Sequence, residues 1–226
     1  MADGVLLDWE GLLADTGQAR RDSLRAALAA EGLAFDDADY DDRCLGRSVR
    51  SAAANALGER AADATLLELV ALRAEREFSA RIAQGFALER EAARFVDRAQ
   101  LRGPVVIVTA AGRNETDAAL RMAGLHDSCA AVVTADEVEG DAPSRALFES
   151  ALTHLARRRP VRRDHVIALA TTSPALRAAR DAGVRTIAVG APAHVALEAD
   201  AALPFLAGAT VDDLDALLGI TSERPV

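Results

Sequence analysis

Residues 6–16 read LLDWEGLLADT, which is the most informative stretch of the chain. A short apolar run ends in the carboxylate of Asp8, a second acid, Glu10, follows two positions later, and Gly11 comes next. An acid at the carboxyl end of a strand, followed by a glycine turn, is typical of an anion or metal site, because the backbone N–H groups of such a turn can bind an oxyanion. A carboxylate in this position can also attack phosphorus as a nucleophile.

The same apolar pattern recurs four times along the chain. The runs are continuous and rich in β-branched residues, which is typical of strands buried on both faces of a parallel sheet. With the first strand at residues 5–8, the others lie at residues 104–109, 130–134, 165–170 and 185–190. Helix-like stretches between them end at Gly124 and Gly183, two good helix stops. This alternation predicts an α/β fold with a Rossmann-like, doubly wound parallel sheet.

Nearly a hundred residues separate the first strand from the second, and they contain no strand-like run. The apolar spacing of helices is found instead at residues 20–30, 49–57 and 66–82. We therefore predict that residues 16–85 form an inserted α-helical cap domain, and that residues 1–15 and 86–226 form the α/β core domain. Because ligands of open α/β sheets bind at the carboxyl ends of the strands, we expect the cap to lie over that edge.

The 226-residue chain is acidic, with a formal net charge of -9. An acidic surface repels phosphodiester backbones, so we expect no nucleic-acid partner. No apolar run approaches the about 20 residues of a membrane-spanning helix, and no basic region followed by an apolar one resembles a signal peptide, so we expect no membrane partner and a cytoplasmic location. Cys44 and Cys129 lack metal-ligand spacing, which also favours a reducing compartment.

Four stretches in order resemble the haloacid dehalogenase (HAD) superfamily. The first, LLDWEGLLADT, differs from the superfamily motif D-x-D-G-x-L-x-D-[ST] only in having Glu10 as its second acid. The others are VIVTAAGRNETDAALRMAGL at residues 106–125, VVTADEVEGDAPSRALF at 132–148 and AARDAGVRTIAVG at 178–190. The chain most resembles the β-phosphoglucomutase-like phosphatases, which carry a helical cap after the first strand. The resemblance implies a hydrolase of phosphoric monoesters with Asp8, Glu10 and Thr109 at its catalytic positions.

Two further motifs of active members are missing. The chain contains no lysine, and an ungapped comparison places Ala142 at the superfamily's motif lysine. Ala170 and Thr171 occupy the positions of the acidic pair that holds Mg²⁺, and neither can bind a hard cation as a carboxylate does. Because phosphoryl transfer depends on positioning and charge neutralisation, we expect impaired catalysis and no cofactor. Asp8 and Thr109 are then vestiges of a degenerate site, unless the site has been rebuilt.

Three functions stay open on the sequence. The first is a pseudophosphatase that keeps the scaffold for a binding or regulatory role. The second is an active phosphatase or phosphomutase that acts on a small phosphorylated metabolite through a phosphoryl-aspartate at Asp8, in a rebuilt site that binds Mg²⁺ with help from Glu139 or Asp141. The third is dehalogenation of a haloacid, which needs no metal but is disfavoured by the same missing lysine.

The charge of the pocket favours the first function. A phosphate dianion about 4 Å from an uncompensated carboxylate such as Asp8 or Glu10 meets a repulsion of about 4 kcal/mol per charge pair at an effective dielectric of about 20. Arginines would have to offset that repulsion. The candidate ligand-binding residues are Gly11, Arg20, Arg113 and Arg145, with Arg145 the candidate to replace the lysine. We therefore expect a neutral or cationic small molecule, or a protein partner, whose identity the sequence does not give.

Overall fold

The computed structural model of the chain describes residues 1–140 and 142–221. Its strands are β1 (Gly4–Asp8), β2 (Ala14–Asp15), β3 (Ala87–Leu88), β4 (Val105–Val108), β5 (Ala131–Val133), β6 (Val166–Ala170), β7 (Arg185–Val189) and β8 (Ala201–Leu203). Six of them form one parallel sheet in the order β5–β4–β1–β6–β7–β8, and β2 pairs with β3 in an antiparallel ribbon. The predicted doubly wound sheet is confirmed. The sequence does not reveal β8, because its residues AAL lack β-branched side chains.

Helices cover both faces of the sheet and fill the segment between β2 and β3. They are α1 (Gly17–Ala29), α2 (Asp37–Arg43), α3 (Val49–Leu57), α4 (Ala64–Ala83), α5 (Arg90–Gln100), α6 (Arg113–Ala123), α7 (Arg145–Ala156), α8 (Ser173–Asp181), α9 (Ala193–Ala196) and α10 (Val211–Leu218). The inserted helical cap, α1 to α4, is confirmed, while its division from the core at residues 15 and 86 stays a prediction. Within the described residues, none of these helices has the length and apolar character that crossing a membrane requires.

The central strand, β1, shows why the strand sequences are apolar without interruption. Successive side chains of a strand point to opposite faces of the sheet. Leu7 belongs to an apolar cluster on one face together with Phe95, and Leu6 belongs to the cluster on the other face together with Leu147. Both faces are therefore covered by helices, as in other parallel sheets.

The order of the strands determines where a site can form. The chain runs from β1 to β4 and β5 on one side and to β6, β7 and β8 on the other, so the strand order reverses beside β1. In open α/β sheets, ligands bind outside the carboxyl ends of the strands at this reversal. Asp8 ends β1, Thr109 follows β4, and Ala170 ends β6, so all three lie at that edge.

The cap has its own apolar cluster, which includes Leu28, Tyr40, Cys44 and Val70. The residues of α2, DADYDDR, lack an apolar stripe, and for this reason the sequence does not predict the helix. Tyr40 nevertheless buries its ring in the cap cluster. The helix begins at the side chain of Asp36, which accepts a hydrogen bond from the backbone N–H of Asp39.

Replacing Leu7 by alanine is expected to lower the free energy of unfolding by about 2–5 kcal/mol, because its fully buried side chain leaves a cavity in the centre of the sheet. Urea unfolding monitored by circular dichroism measures the change. Leu101→Ala is the matched control, since Leu101 is 86% exposed and its loss should cost less than about 0.5 kcal/mol. Equal losses for the two variants would contradict the described core.

Candidate functional site

The turn that follows β1 places two acids at the edge of the sheet. Asp8 is the last residue of the strand, and the backbone N–H of Glu10 donates a hydrogen bond to its Oδ1 at 3.4 Å. Gly11 then adopts a φ of 73°, and a Cβ added there would lie 2.6 Å from Oγ1 of Thr171. Only glycine satisfies both the conformation and the close approach. The local sequence thus turns sharply and brings Glu10 back beside Asp8.

Asp8, Glu10 and Thr109 meet around one small chamber. Its volume is about 10 Å³, and Gly46 of the cap and Thr172 of the core also line it. Thr109 is fully buried, and its hydroxyl accepts a hydrogen bond from the backbone N–H of Ala111 at 3.0 Å. The chamber is close to the minimum that holds one water molecule, about 10–15 Å³, and is too small for a phosphoryl group.

The positions of the missing lysine and acidic pair are occupied by small residues that are buried or half-buried. Ala142 and Ala170 are each only 1% exposed. The backbone carbonyl of Ala142 accepts a hydrogen bond from the N–H of Ser48 in the cap at 2.8 Å. The hydroxyl of Thr171 donates to the carbonyl of Glu10 at 3.3 Å. These residues therefore pack the cap and the turn against the sheet, and their side chains offer no charge to a ligand.

Arg20 reaches the chamber from helix α1 of the cap. Its guanidinium forms an ion pair with Glu10, and the two side chains are only 9% and 13% exposed. It also lies over the ring of Phe78, 4.3 Å from the ring centre, which is a favourable cation–π geometry. Burial lowers the pKa of Arg20, but the carboxylates of Glu10 and Glu115 outweigh burial and raise it overall. The guanidinium therefore stays charged.

Asp8 lies in surroundings that disfavour its ionised form. Burial, followed by the neighbouring Glu10 carboxylate, raises the pKa of Asp8 well above its ordinary value, and Arg20 opposes this only in part. Burial also raises the pKa of Glu10 against the pull of Arg20. Because the carboxylate, and not the acid, attacks phosphorus, this environment weakens Asp8 as a nucleophile.

Arg145 and Arg113 are engaged away from Asp8. Nε of Arg145 donates to Oε1 of Glu149 at 2.9 Å, one helical turn along α7, and the Arg145 side chain is 63% exposed. This i, i+4 spacing of opposite charges is a signal that the sequence already contained. Arg113 donates to the carbonyl of Val132 at 2.8 Å and forms an ion pair with Glu137. Neither arginine lines the chamber around Asp8.

The side chains at this edge do not fit the Mg²⁺ ion that the resemblance implies. Mg²⁺ needs a near-octahedral set of oxygen ligands, usually including carboxylates. The carboxylate of Glu10 is paired with Arg20, and the side chain of Ala170 has no atom that can bind a metal. In residues 1–140 and 142–221, no three side chains of His, Cys, Asp or Glu lie close enough to hold a metal. Glu139 is exposed, and Asp141 lies outside the described residues. The absence of a cofactor remains a prediction.

A sequence model of haloacid dehalogenase-like hydrolases matches residues 5–189, most of the chain. The chain belongs to this family. No curated protein matches this haloacid dehalogenase-like chain.

Solved structures resemble this haloacid dehalogenase-like chain over nearly its whole length. CbbY from Rhodobacter sphaeroides in complex with phosphate has a TM-score of 0.79 and 23% identity, covering 95% of this chain and 100% of its own. β-Phosphoglucomutase from Clostridium difficile has a TM-score of 0.82 and 14% identity, covering 97% and 98%. The archaeal β-phosphoglucomutase from Pyrococcus sp. strain ST 04 has a TM-score of 0.76 and 18% identity, covering 96% and 98%. At these identities the likeness shows the fold alone.

A second, much larger cleft in this haloacid dehalogenase-like fold lies between the cap and the core. Its volume is about 630 Å³, within the range of small-molecule sites, and it is bordered by α3, α4 and the loops that follow β4 and β5. Carboxylates from three different elements line it: Glu75, Glu115 and Asp136. The sequence does not identify Glu75 or Glu115 as site residues. No spacing connects them, because one lies on a cap helix and the other on a core helix.

Glu115 is the most perturbed acid of this cleft. Burial raises its pKa to about 7 against the pull of Arg20, and Glu75 and Glu10 add to the rise. Ser79 of α4 donates a hydrogen bond to Oε1 of Glu115 at 3.4 Å, while Oε2 is buried without a hydrogen-bond partner in the described part of the chain. A proton on Glu115 therefore changes the charge of the interface between cap and core near neutral pH.

We expect Glu115→Gln to stabilise the fold at pH 8 but not at pH 4.5. An acid whose pKa is raised on folding stabilises the folded state at low pH. That contribution is lost as pH rises from the unfolded value, 4.5, to about 7. The upper limit of the effect is about 3 kcal/mol. Urea unfolding at both pH values measures it, with the exposed Glu59→Gln as control. A pH-independent change would show that Glu115 is ionised as readily in the folded protein as in the unfolded one.

Proposed function

We propose that this protein is a pseudophosphatase of its family, which keeps the fold for a binding or regulatory role in the cytoplasm. The main support is the buried ion pair of Glu10 with Arg20. An acid that assists phosphoryl transfer must exchange a proton with the leaving group. In this protein the carboxylate of Glu10 is instead committed to a permanent cation. The free thiols of Cys44 and Cys129 agree with a reducing compartment.

The surroundings of Asp8 give further support. Its pKa is raised by burial, and its chamber of about 10 Å³ cannot admit a phosphoryl group beside it. Ala142 stands where the family has its lysine, so no side chain there neutralises the transferred group. Loss of one preorganised donor typically lowers kcat by about 10²–10³. Losing the lysine and the metal-binding acids together therefore removes useful turnover.

The larger cleft suggests the class of ligand. Three arginines also line the cleft: Arg50 pairs with Glu68, Arg113 pairs with Glu137, and Arg76 is the third. Burial raises the pKa of Glu75, Asp136 adds to the rise, and Arg20 opposes it. Glu75 and Glu115 can accept hydrogen bonds from an amine or a hydroxyl group. We therefore propose a neutral or cationic small molecule for this cleft, with a protein partner as the alternative occupant.

An active phosphatase or phosphomutase is the second candidate. It is favoured by one observation, the retention of Asp8 and Thr109 on the same chamber. For this chemistry the cap would have to open and Arg145 would have to leave Glu149 to supply positive charge. The substrate would then be a small phosphorylated metabolite.

We expect the purified protein to hydrolyse no phosphate monoester faster than its Asp8→Asn variant does, because burial raises the pKa of Asp8 and no lysine neutralises the transferred group. The assay uses a panel of sugar phosphates and p-nitrophenyl phosphate with Mg²⁺, and measures released phosphate. An authentic β-phosphoglucomutase-type phosphatase assayed in parallel establishes its sensitivity. Turnover that Asp8→Asn abolishes would replace this proposal with the second candidate.

A thermal-shift screen tests the ligand class. The screen is run without added metal. Phosphate, vanadate and sugar phosphates are expected to leave the melting temperature unchanged, whereas at least one amine from a panel of polyamines and amino sugars is expected to raise it. A ligand at a hundred times its Kd stabilises the fold by about 2.7 kcal/mol, which is easily detected. The amine shift should be lost in Glu75→Gln/Glu115→Gln. A shift with phosphate esters that Arg145→Ala removes would contradict the proposed class.

A further inference from the structure

The contact between Arg20 and Glu10 is a buried ion pair between cap and core, and it lies beside the apolar contacts that Phe78 and Ile82 of α4 make with the core cluster. Arg20 belongs to α1 of the cap, and Glu10 belongs to the turn after β1 of the core. The cap has an apolar cluster of its own, so its folding does not require Arg20 to reach the core. Nη2 of Arg20 is nevertheless buried and has no hydrogen-bond partner in the described residues. The Glu10 carboxylate that faces this buried guanidinium therefore compensates its positive charge.

Two further contacts show that the cap lies directly on the edge of the sheet. A Cβ on Gly46 would lie 2.7 Å from Oγ1 of Thr172, so the cap loop touches the loop after β6 without space for a side chain. The backbone N–H of Ser48 donates to the carbonyl of Ala142 at 2.8 Å. Both contacts flank the chamber that contains Asp8, and both disappear if the cap moves away.

The ion pair differs from the other cap–core contacts because it compensates the charge of two neighbouring acids. Asp8 and Glu10 lie side by side in a buried place, and Arg20 is the cation that lowers the pKa of both. Without that guanidinium, two adjacent acids would remain in a closed chamber, and opening the cap to water would relieve them. A buried ion pair contributes little net stability by itself, but removing one partner is strongly destabilising.

We propose that Arg20 acts as an internal counter-cation that holds the cap closed on the core, so that the protein itself shuts the chamber around Asp8. The positive charge at the acids of this chamber is then supplied by the chain. This charge acts together with the apolar packing of α4 on the core and with the contacts at Gly46 and Ser48. This inference does not require the protein to be inactive, since it concerns the resting position of the cap.

Hydrogen–deuterium exchange of the whole protein tests whether the ion pair holds the cap closed, with the variants Arg20→Gln and Glu10→Gln. In each variant, the peptide that contains the Ser48 amide is expected to exchange at least about tenfold faster than in the wild type, while peptides from β4 keep their protection. Arg73→Gln is the matched control, because Arg73 pairs with Glu31 inside the cap, with Nη1 2.6 Å from Oε1. This control should leave the Ser48 peptide unchanged.

In the double variant Arg20→Gln/Glu10→Gln, the fold-increase in the exchange rate of the Ser48 peptide should be smaller than the product of the two single fold-increases. Each single change already removes the same contact. Unchanged protection of Ser48 in both single variants would overturn the proposal. So would equally faster exchange in β4, which would indicate global destabilisation. If Arg20→Gln does not fold, the near-isosteric Glu10→Gln decides the question by the same two readouts. No substrate enters the measurement, so its result is independent of the turnover assay.

Discussion

The ion pair between Glu10 and Arg20 is the interaction on which the site depends. It connects the turn after the central strand to the first helix of the cap, and both side chains are almost completely buried. Taking two charges out of water is costly, and their mutual attraction repays that cost only in a tight, well-packed geometry. The ring of Phe78 completes this packing beneath the guanidinium. The guanidinium lowers the pKa of both Asp8 and Glu10, and the ion pair adds to the apolar packing of α4 on the core.

Loss of charge and loss of volume occur at the same positions. Ala142, Ala170 and Thr171 have smaller side chains than the lysine and the two acids of the family pattern. Ala142 lies against the cap, Ala170 packs in the core, and Thr171 contacts the turn after β1. The small residues allow close contact, as the hydrogen bond from Ser48 to Ala142 shows. At these positions the side chains therefore supply no charge to a transferred group, which supports the proposed loss of phosphoryl transfer.

Open space is found instead in the larger cleft between cap and core. The cleft there is bordered by Glu75, Glu115 and Asp136, and two of the arginines around it are held by acids of their own. We propose that these acids make the cleft more favourable for hydrogen-bond donors than for a phosphate dianion. Glu115, with its pKa of about 7, makes the charge of the cleft depend on pH in the physiological range.

The sequence by itself determined the sheet, the helical cap and the juxtaposition of Asp8 with Thr109. Apolar strands are recognisable without a partner, and the carboxyl ends of adjacent parallel strands necessarily meet at one edge. The sequence also shows that the chain contains no lysine, and no folding of the chain can supply one. Only the tertiary structure decided that Arg20 pairs with Glu10 and that Glu115 faces Glu75. These contacts join cap and core, and their geometry depends on how closely the two parts pack, which local sequence patterns do not encode.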